Sequence, residues 1–218
     1  MQVSSDGIPY IFHDNDLKRI CDLPYKFDSL SSQEIDDLRI FGDHKIPKLV
    51  DALNTFPSTS FQIDFKTDEV VNPALEVISK SNASERVCVA SFNSERLNNV
   101  RSTHPHLCIS MGPNEVAKTL MSSFGIYRGI VPGDCLQIPI RYYGVRIVTK
   151  RFVNYLKSKG IKIMVWTIND VKTFKYLIDL EKLLNIDDTN LYNFYTGAET
   201  DFEIENNKVN LLFKNFKY

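Results

Sequence analysis

The sequence has little of what usually assigns a protein quickly. Only four of its 218 residues are cysteines, Cys21, Cys88, Cys108 and Cys135, and their wide spacing matches no zinc pattern. Cys88 and Cys108 lie inside apolar stretches, so they read as reduced, buried thiols, and a cytoplasmic setting follows. No apolar run approaches the ~20 residues that a membrane helix needs, so no integral membrane segment is expected. The chain does not open on a basic region followed by an apolar core, so no signal peptide is read there. Charge of one sign is not in excess. The 26 Lys and Arg nearly balance 27 Asp and Glu and are spread along the chain, giving no electrostatic case for nucleic acid or an anionic membrane. The phosphate loops G-x-G-x-x-G and G-x-x-x-x-G-K-[ST] are both absent, which argues against a nucleotide-binding sheet. There is no internal repeat and no low-complexity linker.

What is present is an alternation of short apolar strands and helical patterns. Strands are predicted at Pro9–His13, Ser60–Phe65, Val87–Phe92, Leu107–Met111, Cys135–Pro139 and Ile161–Thr167. Helices are predicted at Lys48–Phe56 behind Pro47, at Val71–Ser79, at Ser94–Ser102 and at Thr149–Lys159, the last between a Thr cap and Gly160. Asp170 is placed to cap a further helix from Val171 to about Leu184. Alternation of this kind argues for a parallel α/β sheet covered on both faces. Polar residues gather where the strands end: His13, Asp64, Lys66, Ser91, Gln137, Thr167 and Asn169. In a (β/α) barrel those ends form the rim on which active sites are built, although an open doubly wound sheet would show the same clustering.

Four residues stand out chemically. His13 closes the run Ile8-Pro9-Tyr10-Ile11-Phe12 among carboxylates, and an imidazole titrates near neutral pH. A lone histidine at a strand end is, however, more often just a satisfied hydrogen-bonding residue. Asp64 and Lys66 fall on one face of their strand, opposite Ile63 and Phe65. A carboxylate and an ammonium so close can hold a divalent cation beside an anionic oxygen, and spacing alone favours an ordinary ion pair. Trp166 either belongs to the core or walls the carbon part of a small substrate. His44, His104 and His106 lie in polar loops or turns and read as solvated.

Taken in order, these segments resemble the glycerophosphodiester phosphodiesterase family. Asp6-Gly7-Ile8-Pro9 through His13-Asp14 matches that family's D-G-x-P-x-x-x-H-D segment. Ile46-Pro47-Lys48-Leu49 opens its proline-led helix, and Gln62-Ile63-Asp64-Phe65-Lys66 stands where Glu-x-Lys belongs. Ala90-Ser91-Phe92, Gln137-Ile138-Pro139 and Val165-Trp166-Thr167-Ile168-Asn169 complete the series, which runs from about Gln2 to Asp170. The resemblance implies a TIM-type (β/α) barrel that hydrolyses glycerophosphodiesters to glycerol 3-phosphate and an alcohol such as choline or ethanolamine. By resemblance His13 is one of two acid/base histidines, Asp64 is a ligand of a divalent cation (Mg or Ca), Lys66 steadies phosphate charge, and Trp166 flanks the substrate.

The likeness also has gaps. The His-Arg-Gly, Glu-Asn-Thr and Glu-x-Asp motifs of the family have no counterpart, and they would fall before Met1. The expectation is therefore a barrel lacking its first βα unit and second strand, weak or inactive as a hydrolase. The alternative is a non-catalytic protein that holds glycerophosphate or a phosphorylated head group through Lys66. At the other end, Thr196-Gly197-Ala198-Glu199-Thr200-Asp201 faintly echoes the family's closing strand. The barrel is expected over residues 1–201, with 202–218 as an unassigned tail. The partner expected is a small glycerophosphodiester, not nucleic acid.

Overall fold

The computed structural model describes residues 1–183, together with the backbone of 200–205 and 208–213. The chain forms two compact units, Met1–Pro113 and Asn114–Lys217.

The first unit begins with a short antiparallel pair, β1 (Gln2–Val3) and β2 (Pro9–Tyr10), with Gln2 opposite Tyr10 and Val3 opposite Pro9. The Asp-Gly turn forms where the sequence places it. Gly7 adopts a φ of +86° that only glycine takes cheaply, and its N–H donates to the Ser4 carbonyl at 3.0 Å. Beyond a four-residue helix α1 (Lys18–Cys21) comes α2 (Ser32–Asp37), which the sequence reading did not anticipate. It starts with a capping box: the Ser31 hydroxyl accepts from Glu34 N–H and the Glu34 carboxylate accepts from Ser31 N–H. Tyr10, Phe12, Leu17, Phe27, Ile35 and Ile46 close a small core over this segment. Phe12 stacks on Phe27 at 4.9 Å, and Tyr10 meets the same ring edge-on at 5.7 Å.

Next come α3 (Leu49–Thr55), β3 (Phe61–Asp64), α4 (Val71–Lys80), β4 (Val87–Ala90), α5 (Ser94–Thr103) and β5 (Cys108–Ile109). The three strands lie parallel in the order β3-β4-β5, with Asp64 beside Ala90 and Cys88 beside Cys108. All four residues of β4 are buried. That explains its unbroken Val-Cys-Val-Ala run, because a strand buried on both faces has no polar side to alternate. Each helix turns its apolar stripe to this sheet: Leu49 and Leu53 from α3, Ala74, Leu75 and Ile78 from α4, and Leu97 and Val100 from α5.

In the second unit, α6 (Pro113–Ser123) leads to β6 (Cys135–Pro139). A small hairpin, β7 (Arg141–Tyr142) and β8 (Val145–Arg146), precedes α7 (Lys150–Ser158), β9 (Lys162–Trp166) and α8 (Val171–Leu183). β6 and β9 pair in parallel, with Pro139 beside Trp166. The expected caps are present. Thr149 accepts from Phe152 N–H at the start of α7, and Asp170 Oδ1 accepts from Thr173 N–H at 2.8 Å at the start of α8. Helix α6 and the β7–β8 hairpin were not anticipated. A further antiparallel pair, β10 (Thr200–Glu205) with β11 (Lys208–Phe213), occupies much of the segment left unassigned. Residues 196–199 of the closing-strand echo lie outside the described residues. None of the four cysteines is in a disulfide, and Cys88 and Cys135 are buried. Among the described residues no helix is long and apolar enough to cross a membrane.

Candidate active site

The segment after β2 alternates burial. Tyr10 and Phe12 point into the small core, and His13 points out, with 74% of its side chain exposed. Its Nδ1 lies 2.7 Å from Asp14 Oδ1, and Asp14 Oδ2 accepts from Arg19 Nε at 2.6 Å. Arg19 first, and His13 second, hold the Asp14 carboxyl below its ordinary range. An ionised carboxylate can only accept, so Nδ1 carries the proton and Nε2 is the ring nitrogen left for a reactant. The loop is tied down from β1: the Gln2 amide donates to Asn15 Oδ1 at 2.9 Å and to the His13 carbonyl at 3.4 Å.

At the end of β3 the predicted alternation holds. Ile63 and Phe65 are buried in the core, and Asp64 and Lys66 face the other way. Lys66 Nζ sits 2.7 Å from Asp64 Oδ2, and both side chains are partly buried. The other carboxylate oxygen, Asp64 Oδ1, is buried with no hydrogen-bond partner. Such an orphaned acceptor costs stability unless something else satisfies it. Met1 N donates to the Asp64 carbonyl at 2.8 Å. Met1, just before β1, and Gln2 within it thus tie the Asp64 strand end and the His13 loop to the same short segment.

Lys66 also meets an aromatic ring, and the backbone beside it is braced. Its ammonium lies 5.5 Å from the centre of the exposed Phe92 ring, a cation–π contact. The Phe65 carbonyl, one residue before Lys66, accepts from Ser91 Oγ at 2.8 Å and from Arg96 Nη1 at 2.8 Å. Arg96 Nη1 also donates to Ser91 Oγ at 2.9 Å, and its Nε donates to Asp68 at 2.6 Å. The strand end that presents Lys66 is therefore braced by a nearly buried guanidinium.

Whether these residues can hold a divalent cation follows from the donors. Asp64 Oδ1 suits one hard-oxygen ligand, but its partner oxygen is already paired with Lys66. Among the described residues no three His, Asp or Glu side chains converge. Magnesium wants six oxygens and calcium six to eight, so the side chains present do not by themselves fit a resident cation.

Trp166 belongs to the second unit, at the end of β9. Ile163 and Val165 of the same strand are buried, and Trp166 lies on the other, half-open face together with Met164. Gln137 on β6 faces that same side, beside Met164. Of the four site residues predicted, the first unit carries His13, Asp64 and Lys66, and the second carries Trp166. The sequence reading passed over Arg19, Phe92 and Arg96. Phe92 lies inside the quoted Ala-Ser-Phe motif and could have been found. Arg19 and Arg96 follow their acidic partners at distances that local patterns do not mark.

Residues 1–183 match the family model described as the glycerophosphoryl diester phosphodiesterase family. A curated relative, the probable glycerophosphodiester phosphodiesterase 2 of Mycobacterium tuberculosis, is 26% identical over 187 residues, covering 83% of this chain and 71% of its own. The structure is similar to that of a glycerophosphoryl diester phosphodiesterase domain from M. tuberculosis, with a TM-score of 0.69 at 17% identity, covering 87% of this chain and 82% of that one. It is also similar to an Oleispira antarctica phosphodiesterase solved in complex with the product sn-glycerol-3-phosphate, with a TM-score of 0.66 at 20% identity, covering 82% of this chain and 74% of that one. These neighbours fix the fold class as α/β, of the TIM-type (β/α) barrel kind expected from the sequence. Matched over most of its length by that family model, the chain belongs to the glycerophosphoryl diester phosphodiesterase family.

Proposed function

We infer that this chain acts on glycerophosphodiesters, the water-soluble skeletons of phospholipids, and hydrolyses them to glycerol 3-phosphate and an alcohol. The observation that carries this reading is the end of β3. There the Lys66 ammonium stands beside a buried Asp64 oxygen with no partner, while Met1 and Gln2 tie the His13 loop to the same strand end. In this reading Lys66 neutralises a non-bridging phosphate oxygen and Phe92 shields that contact from water. Water adds to phosphorus as His13 Nε2 takes its proton, the bond from phosphorus to the alcohol oxygen breaks, and Nε2 then returns that proton to the departing oxygen. Cysteines outside any disulfide suit a cytoplasmic setting.

The family implies a divalent cation, Mg or Ca, which neutralises phosphate charge when bound. Asp64 would contribute one oxygen, and water would have to supply most of the others. That thin ligand set favours a slow enzyme. It also supports a second reading, a protein that binds glycerol 3-phosphate or a related head group through Lys66 without turning it over.

One experiment separates the two. Glycerol 3-phosphate release from glycerophosphocholine is measured with added Mg or Ca and with chelator, alongside calorimetric titration of glycerol 3-phosphate. The hydrolase reading expects metal-dependent release that falls about 100-fold or more in His13→Ala. The binding reading expects heat of binding that is indifferent to chelator and lost in Lys66→Ala, with no release. Neither release nor binding would overturn both.

A further inference from the structure

We propose that the β7–β8 hairpin is a docking tip for the surface of a bilayer containing anionic phospholipid. The hairpin leaves the same strand ends that carry Trp166, since Pro139 of β6 lies beside Trp166 of β9. Its tip is apolar and almost wholly in water. Tyr143 is 90% exposed, Val145 69% and Tyr142 60%, and the two tyrosine rings meet edge-to-face at 4.5 Å. The turn itself is unusual. Its central residues Tyr143 and Gly144 have φ of +47° and +80°, the pattern of a type I′ turn, where Asn-Gly is the favoured pair. A bulky residue in this region is strained. An aromatic ring is thus held in an exposed turn where a small polar residue would be more stable.

The charge around the tip points to the partner. Although Lys and Arg form no run, the stretch Cys135–Asn169 contains no Asp or Glu at all. Arg141 and Arg146 flank the tip, and Lys150 and Arg151 follow within one helical turn. Arg141 donates to the Gly144 carbonyl at 2.8 Å, and Arg146 stacks on Tyr176 at 4.3 Å, so one guanidinium is held against the turn itself and the other against helix α8. Two exposed tyrosines flanked by two arginines match the chemistry of a membrane interface, where amphipathic rings sit among the headgroups and cations meet lipid phosphate. A second copy of the chain is a poorer occupant. Two tyrosines and a valine present on the order of 500 Å², short of the ~800 Å² per partner of a standard interface.

The test is co-sedimentation of the full chain with vesicles of phosphatidylcholine alone and of phosphatidylcholine mixed with phosphatidylglycerol, at low and high salt. The expected result is binding to the mixed vesicles that weakens with salt, with little binding to phosphatidylcholine alone. Arg141→Gln should lower the partition coefficient about fivefold, and the combined Tyr142→Ser, Tyr143→Ser, Val145→Ser variant should lower it about tenfold or more. Tyr143→Asn relieves the turn strain, so it should keep or raise the thermal midpoint while binding vesicles less well. That variant guards against loss of binding through misfolding. No binding to mixed vesicles, or binding by Tyr143→Asn and the triple variant equal to that of the wild type, would overturn the proposal. So would a wild-type dimer in light scattering that the triple variant dissolves. None of these readouts depends on hydrolysis.

Discussion

Replacing Arg96 with alanine asks what holds the strand end that presents Lys66. The arginine side chain is only 10% exposed, whereas its ion-pair partner Asp68 is 73% exposed. The pair itself should therefore contribute no more than about 1 kcal/mol, because water and salt screen the carboxylate. The buried bond from Arg96 Nη1 to the Phe65 carbonyl is charge-assisted and worth about 1.5–3 kcal/mol. Its loss falls toward the lower end of that range, because Ser91 Oγ continues to donate to the same carbonyl. Removing two buried methylenes adds about 1.5 kcal/mol. Arg96→Ala should thus destabilise the protein by about 3 kcal/mol, and Arg96→Lys, which keeps the stem and one charge, by about half as much. Asp68→Ala should cost less than about 1 kcal/mol. Urea unfolding followed by circular dichroism reads these as midpoint shifts, and Arg96→Ala should lower the thermal midpoint by about 6–12 °C for a chain of this size. Glycerol 3-phosphate binding should weaken in Arg96→Ala and persist in Asp68→Ala. If the two alanine variants prove equally costly, the exposed ion pair matters and the buried carbonyl bond does not. If Arg96→Ala is nearly silent, backbone pairing between β3 and β4 suffices and the brace is incidental.

Other residues invite equally direct tests. Asp14→Asn presents an amide that can donate to His13 Nδ1 and so leave the ring proton on Nε2. Glycerol 3-phosphate release should fall at least about tenfold with little change in KM, and an unchanged rate would remove His13 Nε2 from the chemistry. Asp6 accepts from the Ser32 hydroxyl and Ser32 N–H at the start of α2, and these bonds, with one to Ser4, hold its carboxyl at about 2 against an ordinary 3.8. Its folded value is depressed, so its contribution is complete above about pH 4 and disappears as pH falls through 2. The gap in thermal midpoint between wild type and Asp6→Asn should close over that window, and a gap independent of pH would refute the assignment. Leu97→Ala removes a fully buried side chain from the face that α5 packs on the sheet, and should cost about 2–5 kcal/mol in urea unfolding. A loss below 1 kcal/mol would mean that the helix is not anchored there.

Much of the α/β pattern was legible because it rests on short-range rules. The Val-Cys-Val-Ala run of β4 can only be a strand covered on both faces, and Thr149 and Asp170 cap the helices they precede by a bond three residues long. Helix α2 was missed although Ser31 and Glu34 spell a capping box, because its six residues carry no sustained apolar period. The β7–β8 hairpin was missed for a different reason. Its turn residues, Tyr143-Gly144, do not carry the Asn-Gly signal, and backbone strain is not visible in the residue letters.

The site divides along the same line. From the sequence alone came the fold class, the family likeness, the placement of Asp64 and Lys66 on one face of a strand, and the position of His13 among carboxylates. These follow from period-two alternation and from motif order, and both are properties of neighbours along the chain. Only the tertiary structure decided which atoms are already engaged. Asp14 is taken by Arg19 and His13, one Asp64 oxygen is paired with Lys66 while the other is buried alone, and Arg96 reaches back from α5 to the end of β3. Hydrogen-bond saturation and desolvation depend on residues far apart in sequence meeting in space, so no local pattern carries them.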